Sequence, residues 1–268
     1  MSDAGGMQLQ FDHNGNTVSC EVLGDGGDVW IAFPGYGRPA SDFRVWSADA
    51  VALGIRLVCV DLPYQGDTLL AEPRQLPVDE VCAWIDKIRE RMQVQHVGLI
   101  GYSIGGRVAL TLAGCIPSIK GLVLIAPDGL RSMFWNRLAT HPGPARMLFK
   151  ATLRRPAWFF MMVRLAAWLG LIRPSVKKFL DLQLNSMKKR KMLDDVWCTL
   201  MPFEPDLQQV RELVREGLAC YLVFGTRDRI IPARLARYLP EAKVILLEEG
   251  HDLIKSGVFG QLPEFRKK

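Results

Sequence analysis

Residues 97–116 constrain this chain more than any other stretch. Val97-Gly98-Leu99-Ile100 is an apolar run of strand length, too short for a helix. Gly101-Tyr102-Ser103-Ile104-Gly105-Gly106 follows, and Ile104, Val108, Leu112 and Cys115 then recur at steps of three and four, the apolar stripe of a helix lying on a sheet. The pattern predicts a buried strand, a sharp turn carrying Ser103, and a helix. A serine in such a turn needs strained backbone, and the flanking glycines remove side chains that would clash there. Gly-x-Ser-x-Gly between strand and helix marks a nucleophilic serine held clear of the backbone. The Ile104 amide, at the helix start, points toward any oxyanion formed on that serine. Because a serine hydroxyl is a weak nucleophile alone, a base and an orienting acid must come from elsewhere in the chain.

The rest of the chain has room for one large α/β core. Its 268 residues are 49% hydrophobic, enough for one such core and a small insertion. The insertion shows in the charge. Between Arg131 and Lys191 there are 14 Lys and Arg against one acid, Asp181; the chain's 34 basic and 28 acidic residues leave 20 and 27 for everything else. A basic segment of about +13 thus interrupts a core of about −7, inside a net charge of +6. Six cysteines occur without C-x-x-C spacing, and Cys59, Cys115 and Cys220 fall where a small apolar side chain suits a core. That predicts reduced thiols, a cytoplasmic setting and no metal site. The opening Met1-Ser2-Asp3-Ala4-Gly5-Gly6 has neither a basic start nor an apolar stretch, so no secretory signal is expected.

In order, Met7–Phe11 and Thr17–Val22 flank an Asn14-Gly15 pair, a strong hairpin signal, with His13 as a turn residue. Val29–Phe33 reads as a strand running into Pro34-Gly35-Tyr36-Gly37, and the Tyr36 amide is a candidate second oxyanion donor. Arg56–Val60 is the next strand, ending in Asp61-Leu62-Pro63-Tyr64-Gln65-Gly66. A helix capped by Asp79 follows over Asp79–Gln93. Gly121–Ala126 makes a strand with Asp128 just past its end. From Leu130 to Pro205 the alternation stops, and prolines break an aromatic, Met-rich and basic run into short helices. Its most apolar part, Ala157–Ile172, contains Arg164 and is too short to span a bilayer. The alternation resumes with a helix at Leu207–Gly217, a strand at Cys220–Phe224, a helix at Arg234–Leu239 and a strand at Lys243–Leu247.

Ser103, Asp228 and His251 each follow a buried strand, so one parallel sheet would bring all three out along the same edge. Their chain order, serine then aspartate then histidine, resembles that of the α/β-hydrolases. The likeness covers essentially the whole chain. Gly101 to Gly106 matches the family's nucleophile elbow, Gly225-Thr226-Arg227-Asp228 with Ile231-Pro232 its acid loop, and Gly250-His251 its histidine loop. The resemblance implies an α/β-hydrolase fold, a mostly parallel central sheet flanked by helices, with a core over 1–130 and 206–268 and a helical cap over 131–205. It also implies a serine hydrolase that cleaves a carboxylic ester or related acyl bond without a cofactor. His251 would take the proton of Ser103, Asp228 would orient the imidazole, and the Tyr36 and Ile104 amides would hold the oxyanion. Two departures stand out: Pro34-Gly35 where relatives usually have His-Gly, and Tyr64-Gln65-Gly66 where they often have Gly-His-Gly.

Alternatives attach to particular residues. Asp128 is the rival acid, because some relatives place theirs one strand earlier. His96 reads as structural and His141 as a candidate pocket residue. Gly-Tyr-Ser-x-Gly-Gly-Arg also resembles the elbow of the menaquinone-pathway lyase SHCHC synthase, which implies Tyr102 and Arg107 as binding residues for an anionic substrate; a non-catalytic receptor on the same fold is a third reading. The basic segment suits an anionic or amphiphilic acyl substrate, or peripheral contact with an anionic membrane through Trp158, Phe159, Phe160 and Trp168. No nucleic-acid fold or stacking platform is visible.

Overall fold

The computed structural model describes residues 6–73, 75–117, 119–131, 161, 186–255 and 262. Eight strands form one sheet: β1 (Met7–His13), β2 (Asn16–Leu23), β3 (Asp28–Phe33), β4 (Ile55–Val60), β5 (Val97–Tyr102), β6 (Ile119–Ile125), β7 (Ala219–Gly225) and β8 (Lys243–Leu247). Their spatial order is β1-β2-β4-β3-β5-β6-β7-β8. β1 and β2 pair antiparallel, β2 runs antiparallel to β4, and every pair from β4 to β8 is parallel. The first hairpin turns on Asn14 and Gly15, at φ 48° and 78°, the left-handed pair that a two-residue turn requires.

Strand burial follows position in the sheet. β3 is buried from Val29 on, and all six residues of β5 are buried, as expected for strands covered on both faces. β8 lies at the edge and exposes Val244 and Leu246. Around the sheet run α1 (Ser47–Leu53), α2 (Val78–Met92), α3 (Ile104–Cys115) and, after a further helix α4 (Met187–Thr199) in chain order, α5 (Leu207–Arg215). α3 packs on β3, β5 and β6 and is flanked by α2 and α5. Every residue from Ile104 to Ala113 is therefore buried, whereas Cys115 at its end is exposed. The expected one-sided stripe is thus part of a helix buried all round, and Cys115 is not a core residue. Asp79 is not the cap of α2 either. Pro77 precedes the helix and Asp79 sits in its first turn, where its carboxylate accepts the Glu80 N–H at 3.0 Å. α5 does have an acidic cap, Asp206, which accepts from the Gln208 and Gln209 amides.

The chain divides into two compact units, 1–131 with 202–268, and 132–201. Of the second, α4 is described: Ser186 caps it through the Lys189 N–H, and Lys191 pairs with Asp195 at 2.7 Å. His141, Trp158, Phe159, Phe160 and Trp168 lie outside the described residues. Among the described residues no helix is long and apolar enough to cross a membrane, and no group of three or more His, Cys, Asp or Glu could hold a metal ion. All six cysteines are free thiols.

Candidate active site

β5 ends at Tyr102 and α3 begins at Ile104, so Ser103 occupies the single residue between them at φ 52° and ψ −116°. A non-glycine residue there is strained, and the strain persists because the surroundings overdetermine it. The Ser103 N–H donates to Ile125 O at 3.0 Å, and its carbonyl accepts from the Gly106 and Asp128 amides, each at 2.9 Å. Close packing completes the constraint. A Cβ on Gly105 would run into the Phe33 carbonyl group and stand 2.6 Å from Pro34 O. The Ser103 hydroxyl itself takes no hydrogen-bond partner among the described residues, His251 included.

His251 and Asp228 do meet. His251 Nδ1 lies 2.7 Å from Asp228 Oδ2, and since a carboxylate only accepts, Nδ1 carries the proton and Nε2 is left as the basic nitrogen. Asp228 is 5% exposed, and its Oδ1 accepts from the Ile230 and Ile231 amides at 2.7 and 3.0 Å. The rival carboxylate is spent elsewhere. Asp128 pairs with Arg107 at 2.8 Å and accepts the Gly129 N–H. The structure thus brings Asp228, not Asp128, to the histidine.

The same ion pair bears on Arg107, which is 8% exposed and engaged by Asp128. Tyr102 is also committed. It is 3% exposed, its hydroxyl donates to His251 O at 2.9 Å, and its ring lies 5.5 Å from the imidazole. Burial pushes its phenol well above the ordinary tyrosine range, so the donor stays protonated. Neither side chain is disposed as a free ligand for an anionic substrate. Arg38 adds a further tie that sequence patterns do not reveal: it stands over the Tyr102 ring at 5.6 Å and pairs with Asp252 at 2.8 Å and Asp42 at 3.1 Å.

The loop after β3 lies against the serine. A Cβ on Gly35 would be 2.7 Å from the Tyr102 ring and 3.3 Å from Ser103 Cβ. Arg38 N–H closes a turn onto Gly35 O at 3.2 Å, and Gly37 N–H donates to Gln65 Oε1. Tyr36, between them, keeps its N–H without an acceptor among the described residues, and Ile104, first in α3, has no acceptor within the helix. Burial pushes the Tyr36 phenol up to about 12. The other candidates lie apart from Ser103: His13 ends β1 beside Asn14, and His96 precedes β5.

A mostly parallel sheet with a strained serine at the C-terminal end of its central strand, and a paired aspartate and histidine past later strands, defines the α/β-hydrolase class. A model of the Alpha/beta hydrolase family matches residues 24–257, and the chain belongs to that family. It is similar to the dihydrolipoyllysine-residue acetyltransferase component of the acetoin cleaving system of Pseudomonas putida, 28% identical over 239 residues that make up 88% of this chain and 61% of that protein. The corresponding Cupriavidus necator component is 23% identical, over 93% of this chain and 65% of its own length. The chain thus spans less than two thirds of either relative. Among solved structures it is similar in fold to the thioesterase domain from the curacin biosynthetic pathway, with a TM-score of 0.65 and 15% identity over 98% of this chain and 99% of the other. A Pseudomonas aeruginosa PAO1 protein described as a "probable hydrolytic enzyme" gives a TM-score of 0.63 and 21% identity over 98% of this chain and 94% of the other.

Proposed function

We propose that the protein is a serine hydrolase that cleaves a carboxylic ester or thioester through an acyl-enzyme on Ser103. The observation that carries this reading is the 2.7 Å bond from His251 Nδ1 to an Asp228 carboxylate whose other oxygen is held by two backbone amides. With Nδ1 so engaged, Nε2 takes the Ser103 proton as the hydroxyl attacks the acyl carbon, and Asp228 stabilises the imidazolium. The Tyr36 and Ile104 amides receive the oxyanion. His251 returns the proton to the leaving alcohol or thiol, then activates the water that releases the acid. A fluorophosphonate probe is expected to label the protein on Ser103; labelling undiminished in Ser103→Ala would sink the assignment.

The likeness to acetyltransferase components favours a second outcome for the same intermediate, attack by an alcohol or thiol instead of water. Acyl transfer to an added acceptor, measured against release of free acid, separates the two. Residues 131–205 serve in this reading as a basic helical cap that draws anionic amphiphiles, or an anionic membrane surface, in a cytoplasmic setting. Each Lys or Arg near such a surface is worth about 1 kcal/mol and is screened by salt. Sedimentation with anionic vesicles is expected to exceed that with zwitterionic ones at low salt, and equal recovery with both would remove the membrane role.

A further inference from the structure

Gln65 has no part in the chemistry proposed above, yet its side chain reaches 28 residues back to the loop beside the serine. It sits in the segment after β4, where the Leu62–Gln65 turn closes by Gln65 N–H to Leu62 O at 3.1 Å and Tyr64 adopts φ 66°. That φ is a conformation a bulky residue takes only at a cost, so the turn is held by its surroundings. Asp61 holds the same two loops together a few residues away. Its Oδ1 accepts from Ala40 N–H at 2.6 Å and its Oδ2 from Asp67 N–H at 3.0 Å. Gln65 is 8% exposed; its Oε1 accepts the Gly37 N–H, while its Nε2 is buried and has no partner among the described residues.

The energetics of that amide are informative. One neutral hydrogen bond contributes about 1 kcal/mol, and burying an unsatisfied amide donor costs about 1–3 kcal/mol. Net stabilisation of the fold therefore does not account for a glutamine here. Geometry does. Gly37 is in the left-handed region at φ 73°, and its N–H, held by Gln65, orients the Tyr36–Gly37 peptide next to the Gly35–Tyr36 peptide, whose Gly35 lies against Ser103.

We infer that Gln65 is a positioning residue of the oxyanion site: its side-chain carbonyl anchors the Gly37 N–H and thereby sets the direction of the neighbouring Tyr36 N–H. The inference rests on the hydrolase reading for its kinetic consequence, though not for the anchor itself. An oxyanion donor acts on the transition state more than on bound substrate, so misdirecting it lowers kcat and leaves KM nearly unchanged.

The test compares the full chain with Gln65→Met, which keeps the length and removes the acceptor, and Gln65→Glu, which retains an acceptor oxygen. Gln65→Asn, too short to reach, replaces the Met variant if that one does not fold. Amide hydrogen exchange at Gly37 is expected to speed up at least tenfold in the Met variant and to stay near the parent rate in the Glu variant. With a p-nitrophenyl ester, the Met variant is expected to lose about tenfold in kcat with KM within twofold. Affinity for phenylboronic acid, which forms a tetrahedral adduct on a serine, should fall by the same factor. Unchanged Gly37 exchange in the Met variant overturns the anchor. Unchanged kcat, or a change in KM alone, overturns its bearing on the oxyanion. A parent protein that turns over no acyl ester sinks the hydrolase reading instead, and the exchange measurement still decides whether Gln65 holds Gly37.

Discussion

Ser103 and His251 reach the same edge of the sheet by opposite means. The serine leaves β5, whose six residues are all buried, and enters α3, buried through Ala113. The histidine follows β8, an edge strand that exposes Val244 and Leu246. Packing therefore holds the nucleophile, with Gly105 against the Phe33 and Pro34 carbonyls and the Ser103 carbonyl taking two amides. The histidine loop is held by polar contacts: Asp228 on the imidazole, Tyr102 on the His251 carbonyl, and Arg38 on Asp252. The lesson is that substitutions on the serine side should act on stability, and those on the histidine side on rate.

The sharpest separation is expected between the two aspartates. Asp228→Asn should lower kcat by about 10⁴-fold, by favouring the wrong tautomer, while leaving the unfolding midpoint near that of the parent. Asp128→Asn should do the reverse, costing on the order of 2 kcal/mol by weakening the pair with buried Arg107 and keeping most of the activity. Ester turnover and urea unfolding on both variants check this, and matched losses in the two would break the contrast. Next in size is Gly105→Ala, which places a methyl group against backbone that cannot move aside. It should cost about 3 kcal/mol or more, and a loss below about 1 kcal/mol would mean the elbow is not rigid. Tyr102→Phe should lower kcat several-fold through one lost hydrogen bond to the histidine loop. Because burial raises the phenol pKa, the donor stays protonated, and the difference from the parent should be flat from pH 6 to 9. The smallest effect belongs to Asp252→Ala. Its bond to Arg38 is partly exposed, so kcat for ester turnover should fall by less than about fivefold and the difference should vanish in 0.5 M salt.

What the sequence made legible was local or periodic. Asn14-Gly15, the Gly-x-Ser-x-Gly turn and the apolar runs before Asp128, Asp228 and His251 each lie within a few residues, and each took the expected form. The loop motif already favours Asp228 over Asp128, but that Asp128 in particular is the carboxylate engaged by Arg107 is a contact between separate elements that spacing does not give. The same limit hid Tyr102–His251, 149 residues apart, and Gly37–Gln65. Periodicity misled for α3: the steps from Ile104 to Cys115 describe a stripe, but neighbours on several sides bury the whole helix except its end. At α2, Asp79 fitted a capping pattern, yet Pro77 set the start one residue earlier.

The free thiols give the sheet a set of internal clocks. Cys20 in β2, Cys59 in β4 and Cys220 in β7 are buried, and burial raises all three thiol pKa values, that of Cys220 to about 12. Since the thiolate is the reactive form, an alkylating reagent reaches these sulfurs only when their strand opens, whereas Cys115 is exposed throughout. Two of the three reporters lie in or beside the antiparallel end and one lies in the parallel end. The order in which they react during a labelling pulse would record which end of the sheet lets go first.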